Sequence, residues 1–433
     1  MNRISDLSGS TRRLYRRGSD SYINLSVYAF GLAGLWISIN TVLLQLRVLD
    51  FAAEDKKNGI LGGIALVGLV VAAISQPLIG ALSDRTTSRW GKRLPYIVVG
   101  NVCLLAVVPL LGLVNSFVSA MLVIGLIQFF IHVSQGPASA LLIDHVRPEE
   151  RGVGAGVLNL ARVGGGGLTT VTVMLLMSAS EIGAGPTIWY WASIGVIMAI
   201  LGITTLWTFG SLRLKNDSSE MMRSRAPENA LPADQTSTEN SNRMNGYYWF
   251  LIAMAMIVGG LTAMQIFALF FIRDKVGLDN PAAGAAALAA TILVGAAIAA
   301  YPSGAISDRF GRMKILYLSA VVIAGSTISM LFVGSLIYVT LVGFFIGVGA
   351  GMFLSGGWAL ITELVPASGA GKSLGLTALS TLVGTGLARV SGFGIDALNQ
   401  QSQNLGYDVL ILSIAALMVL SIYPLRRAGK SLL

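Results

Sequence analysis

The 433-residue chain is 54% hydrophobic and only 12% charged, about half the charged fraction of a soluble domain. Stretches near 20 apolar residues, each able to cross about 30 Å of hydrocarbon, recur from end to end. This excludes a soluble globular protein and describes a polytopic helical membrane protein. A formal charge of +9 would suit a nucleic-acid partner by itself, but the bases collect on one side of the predicted membrane and none is implied.

In chain order, the opening Thr11-Arg12-Arg13-Leu14-Tyr15-Arg16-Arg17 superficially resembles a twin-arginine signal. A full-length helix follows instead of a short apolar region with a cleavage site, so it reads as a basic cytoplasmic anchor. Twelve spans are predicted: 23–46, 59–82, 95–114, 118–143, 153–178 and 188–209, then 247–272, 282–303, 315–334, 338–362, 373–395 and 407–425. Between the sixth and seventh, residues 211–246 are rich in Ser, Asn, Glu, Arg and Pro, the composition of a mobile linker. The predicted organisation is therefore a bundle over 1–210, a cytoplasmic linker over 211–246 and a second bundle over 247–433. The single cysteine, Cys103, permits neither an intrachain disulfide nor a thiolate metal cluster, and no cofactor is expected.

Lys and Arg set the orientation. With both termini cytoplasmic, 23 of these residues fall on the cytoplasmic side and five (Arg47, Lys56, Lys57, Arg273, Lys275) on the other, while Arg162 and Arg389 lie within spans. The localisation implied is a plasma membrane, multi-pass, in contact with lipid bilayer.

One loop occurs twice. Gly80-Ala81-Leu82-Ser83-Asp84-Arg85 is followed by Gly91-Lys92-Arg93, and Gly304-Ala305-Ile306-Ser307-Asp308-Arg309 by Gly311-Arg312-Met313-Lys314. Gly80 and Gly304 are 224 residues apart, as are Asp84 and Asp308. A charged loop repeated at half-length in an apolar chain describes two homologous membrane halves, and points to a transporter.

The second copy, Gly-x-x-x-Asp-Arg-x-Gly-Arg-x-Lys, resembles the loop signature of the major facilitator superfamily. The resemblance implies an all-α polytopic membrane protein, with twelve transmembrane helices in two pseudo-symmetric six-helix bundles that alternate access to a central site. It also implies a gating role for Asp84, Arg85, Arg89, Gly91, Lys92 and Arg93 and for Asp308, Arg309, Gly311 and Arg312. Asp84 would face the start of helix 11 near Ser373 and Asp308 the start of helix 5 near Gly152, each attracted by the positive end of a helix dipole. The neighbouring cations would pair with Asp144 and Glu363 at the ends of helices 4 and 10. The first copy is longer, with Thr86 to Trp90 inserted, and resembles the sucrose and glycoside–cation symporter branch and related bacterial transporters. Gln135-Gly136-Pro137-Ala138-Ser139-Ala140-Leu141-Leu142-Ile143-Asp144 resembles that branch's Gln-Gly-Pro-x-Arg-Ala-Leu-Leu-x-Asp, with Ser139 at its basic position.

Polar groups inside the spans are candidates for binding substrate, because burying them in lipid is costly. Arg162 lies roughly 15 Å into helix 5 and Arg389 roughly 24 Å into helix 11. Either guanidinium can hold an anionic or polyhydroxyl ligand, or be satisfied by backbone carbonyls between helices. The run Gly164 to Gly167 beside Arg162 permits a bend at a site or close helix packing. His132, near the middle of helix 4, can carry a proton or be a neutral core residue. Asn40 and Gln265, 225 residues apart, with Trp36, Gln135, Asn159 and Trp358, complete the candidate cavity; structural roles are open for each.

No span centre carries Asp or Glu, which argues against a Na⁺ site of carboxylate type and leaves protons, through His132, as the candidate co-transported ion. Nothing resembles the convergent His–carboxylate or metal constellation of a membrane enzyme. The reading is a secondary active transporter of a polar small molecule, a sugar or glycoside leading through resemblance. A proton-driven exporter of drugs or amphipathic metabolites and a non-transporting sensor or assembly factor remain alternatives; the missing Pro in 153–178 lowers the exporter reading.

Overall fold

The computed structural model describes residues 22–88, 90–145, 151–179, 187–219, 237–278, 280–364 and 370–431. Among these the chain is entirely helical, with twelve helices long and apolar enough to cross a membrane. They are α1 (Tyr22–Phe51), α2 (Lys57–Arg85), α3 (Leu94–Leu113), α4 (Phe117–His145), α5 (Arg151–Met177) and α6 (Ile188–Ser219). After residues 220–236 come α7 (Ser237–Phe271), α8 (Pro281–Phe310), α9 (Arg312–Phe332), α10 (Leu336–Leu364), α11 (Ala370–Asn399) and α12 (Leu405–Lys430). Each predicted span is met. Helical backbone extends from both sides into the segment predicted as linker, through Ser219 and from Ser237.

Two departures from regular helix matter for the centre. A π turn at Ile39–Leu43 interrupts α1, and a second, Ile272–Val276, ends α7 before Gly277 at φ +67°. Such turns widen a helix by one residue and reorient the side chains on it. The first span also runs further than predicted, to Phe51, which corrects the placement of Arg47. Arg47 is not a loop residue: it is 5% exposed within α1, bonds Asp50 and the Val114 carbonyl oxygen, and lies 5.9 Å from the centre of the Tyr190 ring.

In lipid, helices associate by close packing rather than by the hydrophobic effect, and small residues permit it. On α8 and α10, Gly295 abuts the Phe344 carbonyl, and Gly347 and Gly351 the carbonyls of Ile292 and Ala296. Bulky residues such as Leu206, Phe332, Ile337 and Leu387 project from the outer faces, where hydrocarbon solvates them.

The buried core has an uneven plan. One large apolar cluster joins helices of both halves, through Ile39, Leu61, Ile127, Met174, Phe267, Ala285, Ile346 and Tyr407. All of these lie toward the end opposite the repeated loops. Toward the repeated loops the core divides: Leu25, Tyr28, Leu94, Ala138 and Leu212 form a cluster of the first half, while Tyr247, Phe250, Leu316, Leu360 and Leu425 belong to one of the second. Among the described residues, one buried apolar cluster thus spans the halves at one end and each half has its own at the other.

Candidate functional site

At the loop end, both copies of the repeated signature turn on a glycine with positive φ, Gly91 at +84° and Gly311 at +95°. A side chain would be strained there, which gives the repeated glycine its physical reason. Each glycine N–H closes a turn, Gly91 on the Ser88 carbonyl and Gly311 on that of Ser307. Asp84 pairs with Arg93 of its own loop at 2.6 Å, and Arg93 also donates to Ser83 Oγ at 2.7 Å. The Asp84 side chain is 63% exposed, so in this conformation its carboxylate is engaged within its own loop. Arg85 and Lys92 are exposed and Arg312, at the first position of α9, is half-buried. The residues inserted in the first copy have a packing role: the Trp90 ring meets Phe209 of α6 edge to face at 5.6 Å. Arg89, and the side chains of Asp144, Asp308, Arg309, Glu363 and Trp358, lie outside the described residues.

The central candidates fall into separate groups. The π turn of α1 carries Asn40, whose amide donates to the Trp36 carbonyl at 2.8 Å, while Gln45 donates to the Asn40 carbonyl at 3.3 Å. Next to it, Gln265 of α7 donates to Thr41 Oγ1 at 3.0 Å, a hydrogen bond between the halves. Trp36, Asn40, Thr41 and Gln265 therefore share one level. Arg162 is half-buried on α5, close to the buried Tyr28 of α1. His132 on α4 is half-buried, with Nδ1 buried and lacking a partner among the described residues. Gln135 and Asn159 are half-buried on α4 and α5.

Arg389 stands apart. It is 5% exposed, donates to the Thr385 carbonyl of its own helix at 2.8 Å, and its backbone packs on Gly62. Its Nε is buried and lacks a hydrogen-bond partner among the described residues. The glycine run on α5 resolves toward packing. Helix α5 is unbroken, Gly165 abuts the Phe30 backbone of α1, and Gly167 faces Leu293 of α8.

The other end holds a polar network between the halves that the sequence reading did not assemble. Asp396 of α11 accepts from Asn58 N at 3.2 Å, Asn58 Nδ2 at 2.8 Å and Gly59 N at 2.6 Å, all at the start of α2. Lys57 pairs with Asp274 and with Glu54, each at 2.7 Å, and Glu54 with Arg273 at 2.7 Å. The Tyr407 hydroxyl donates to Asp274 Oδ2 at 2.7 Å and lies 3.3 Å from Asn58 Oδ1. Asn280, at the start of α8, donates to the Ser178 carbonyl past the end of α5, and Lys275 pairs with Asp408. In sequence, Lys57 and Arg273 counted only toward orientation, and Asp396 lies one residue past the predicted span 373–395. A usable signal was there: acids outnumber bases in and beside the short connections at this end, whereas bases outnumber acids at the loop end.

Comparison with known proteins bears on the whole arrangement. A family model described as MFS/sugar transport protein matches residues 57–373. An uncharacterized symporter of Synechocystis sp., sll1374, is 35% identical over 75 residues, which is 17% of this chain and 14% of that protein. The sucrose transport protein SUT1 of Oryza sativa subsp. japonica is 33% identical over 101 residues, 18% of this chain and 19% of that one. The chain thus spans less than a fifth of the length of these curated relatives. The crystal structure of the nucleoside transporter NupG superposes with a TM-score of 0.65 over 94% of this chain and 99% of that one, at 14% identity, which is a likeness of fold.

Proposed function

Because the chain belongs to the MFS/sugar transport protein family, we propose that it is a secondary active transporter that moves a polar small molecule by alternating access. A sugar or glycoside is the leading substrate class, supported by the long form of the first repeated loop and by the sucrose transport named for the rice relative. The observation that carries the mechanism is the divided core, one apolar cluster across both halves at one end and two clusters at the other. A cleft between the halves follows, open toward the repeated loops.

The excess of Lys and Arg at the loop end makes that side cytoplasmic. Both termini are then cytoplasmic, the membrane is the plasma membrane, and this conformation faces inward. Residues 1–210 rock against 247–433. Asn40, Gln265 and Trp36 form the floor of the cleft, with amide hydrogen bonds and an aromatic face suited to a sugar ring, and Arg162 offers a guanidinium to hydroxyl or anionic groups. His132 is the candidate proton carrier.

The test is flux into proteoliposomes under an imposed pH gradient, screening sugars, organic anions and dyes, with Arg162→Ala alongside. Saturable uptake of a sugar or anion that falls at least about ten-fold in the variant, ~1.4 kcal/mol of lost stabilisation, supports the assignment. Dye extrusion driven by the proton gradient, with no sugar uptake, overturns it in favour of an exporter.

A further inference from the structure

The first turn of a helix leaves four backbone N–H groups without intrahelical partners. At the start of α2 no local residue fills this need: Lys56, at the capping position, makes no side-chain cap. The N–H groups of Asn58 and Gly59 are instead satisfied by Asp396, a residue of the other half. The corresponding helix of the second half, α8, is capped locally by Asn280, whose side chain accepts from Ala283 N at 3.0 Å. One helix therefore carries its cap with it, and the other borrows its cap across the interface.

The borrowed cap is buried and tightly seated. Asp396 is 7% and Asn58 1% exposed. A Cβ on Gly59 would lie 3.0 Å from Asp396 Oδ2, and one on Gly392 or Gly62 would overlap the carbonyl of Asn58 or Arg389. Three glycines thus let α2 and α11 approach closely enough for the carboxylate to reach the helix start. A charged acceptor at the positive end of a helix dipole is among the stronger hydrogen-bonded arrangements. At the opposite end of α2, Asp84 is turned to Arg93 of its own loop. The same helix pair thus has one carboxylate bonded across the halves and one bonded within its own loop.

We infer that Asp396 is a positioning residue for transport, whose carboxylate caps α2 across the two halves in the state closed at this end and lets go when that end opens. Asp84 is its counterpart, held by Arg93 of its own loop in this state and placed to engage α11 when the loop end closes. The inference rests on the alternating-access reading above, and adds a specific carboxylate that sets the balance between the two states.

The experiment measures distances between spin labels in the full chain, with Cys103→Ser as background. Cysteine pairs at Asn115 and Gln401 report on the Asp396 end, and pairs at Thr87 and Arg426 on the loop end. Asp396→Ala should lower the ratio of closed to open populations at its own end by about ten-fold or more, equal to ~1.4 kcal/mol, with closure of the loop end to match. Adding Asp84→Asn should move both ends back toward the starting balance, which a merely structural role would not produce. The isosteric Asp396→Asn, which keeps the shape of the seam, should shift the ends the same way and by less. Unchanged distances in both Asp396 variants overturn the inference, as does loosening of both ends together without compensation by Asp84→Asn. If the unsubstituted chain holds one distance at each end under every substrate and gradient tried, the alternating-access reading itself falls.

Discussion

Lys57→Met removes a buried cation from the network between the halves while keeping an apolar stem of similar length. The Lys57 side chain is 5% exposed and holds Asp274, 20% exposed, and Glu54, 65% exposed; its ammonium also lies 5.6 Å from the centre of the Phe270 ring. The Glu54 pair is solvated at its acidic partner and is worth at most about 1 kcal/mol. The Asp274 pair is largely desolvated, and removing one partner of such a pair costs about 3–5 kcal/mol. Asp274 keeps the Tyr407 hydroxyl, which places the loss near the lower limit, ~3 kcal/mol. Because the pair joins α2 to the end of α7, the loss falls on the state closed at this end. The closed-to-open ratio should drop on the order of 100-fold. Spin-label distances between Asn115 and Gln401 read this directly. Glu54→Gln loses the pairs with Lys57 and Arg273, of which only the second joins the halves, and should change the ratio by no more than about five-fold, the equivalent of ~1 kcal/mol. Equal effects of the two substitutions, or an unmoved Lys57→Met, would refute the division of the network into a buried and a solvated pair.

Further outcomes follow from single positions. Burial raises the Glu54 carboxyl, but hydrogen bonds and charge from Lys57 and Arg273 outweigh it and hold the group below its ordinary value of 4.5. A depressed carboxyl stabilises above its unfolded value and loses that stabilisation as pH falls through the folded one. The Glu54 contribution to closure should therefore be constant from pH 8 to about 5.5, and fade only below the ordinary carboxyl range; spin-label distances against pH check it. Gly91→Ala and Gly311→Ala place a side chain at φ +84° and +95° and should each cost about 1–3 kcal/mol, seen as lowered thermal stability in detergent. Gly165→Val drives a side chain into the Phe30 backbone and should lower stability by at least about 1–3 kcal/mol. Gly156→Ala meets no atom within 4 Å and should be neutral or stabilising by up to about 1 kcal/mol.

The sequence by itself determined the class of molecule. Twelve apolar stretches, the placement of Lys and Arg, and a loop repeated 224 residues apart are local or periodic features, written wherever a helix must meet lipid or a chain must turn. The glycines of the repeated loop belong here too, since a positive φ is a demand on one residue. The π turn at Asn40 was not legible, because nothing in Ile39–Leu43 distinguishes it from ordinary apolar helix; it forms where α1 meets the other half and Gln265 reaches Thr41. Arg162 and Arg389 looked alike as buried cations, and only tertiary contacts set one beside Tyr28 and the other against its own helix. Where the halves meet was decided by tertiary structure alone. Asp396 and Asn58 are 338 residues apart, and the carboxylate caps α2 only because three glycines let two distant helices touch. A contact of that kind depends on where the halves stand, which no local feature of either segment records.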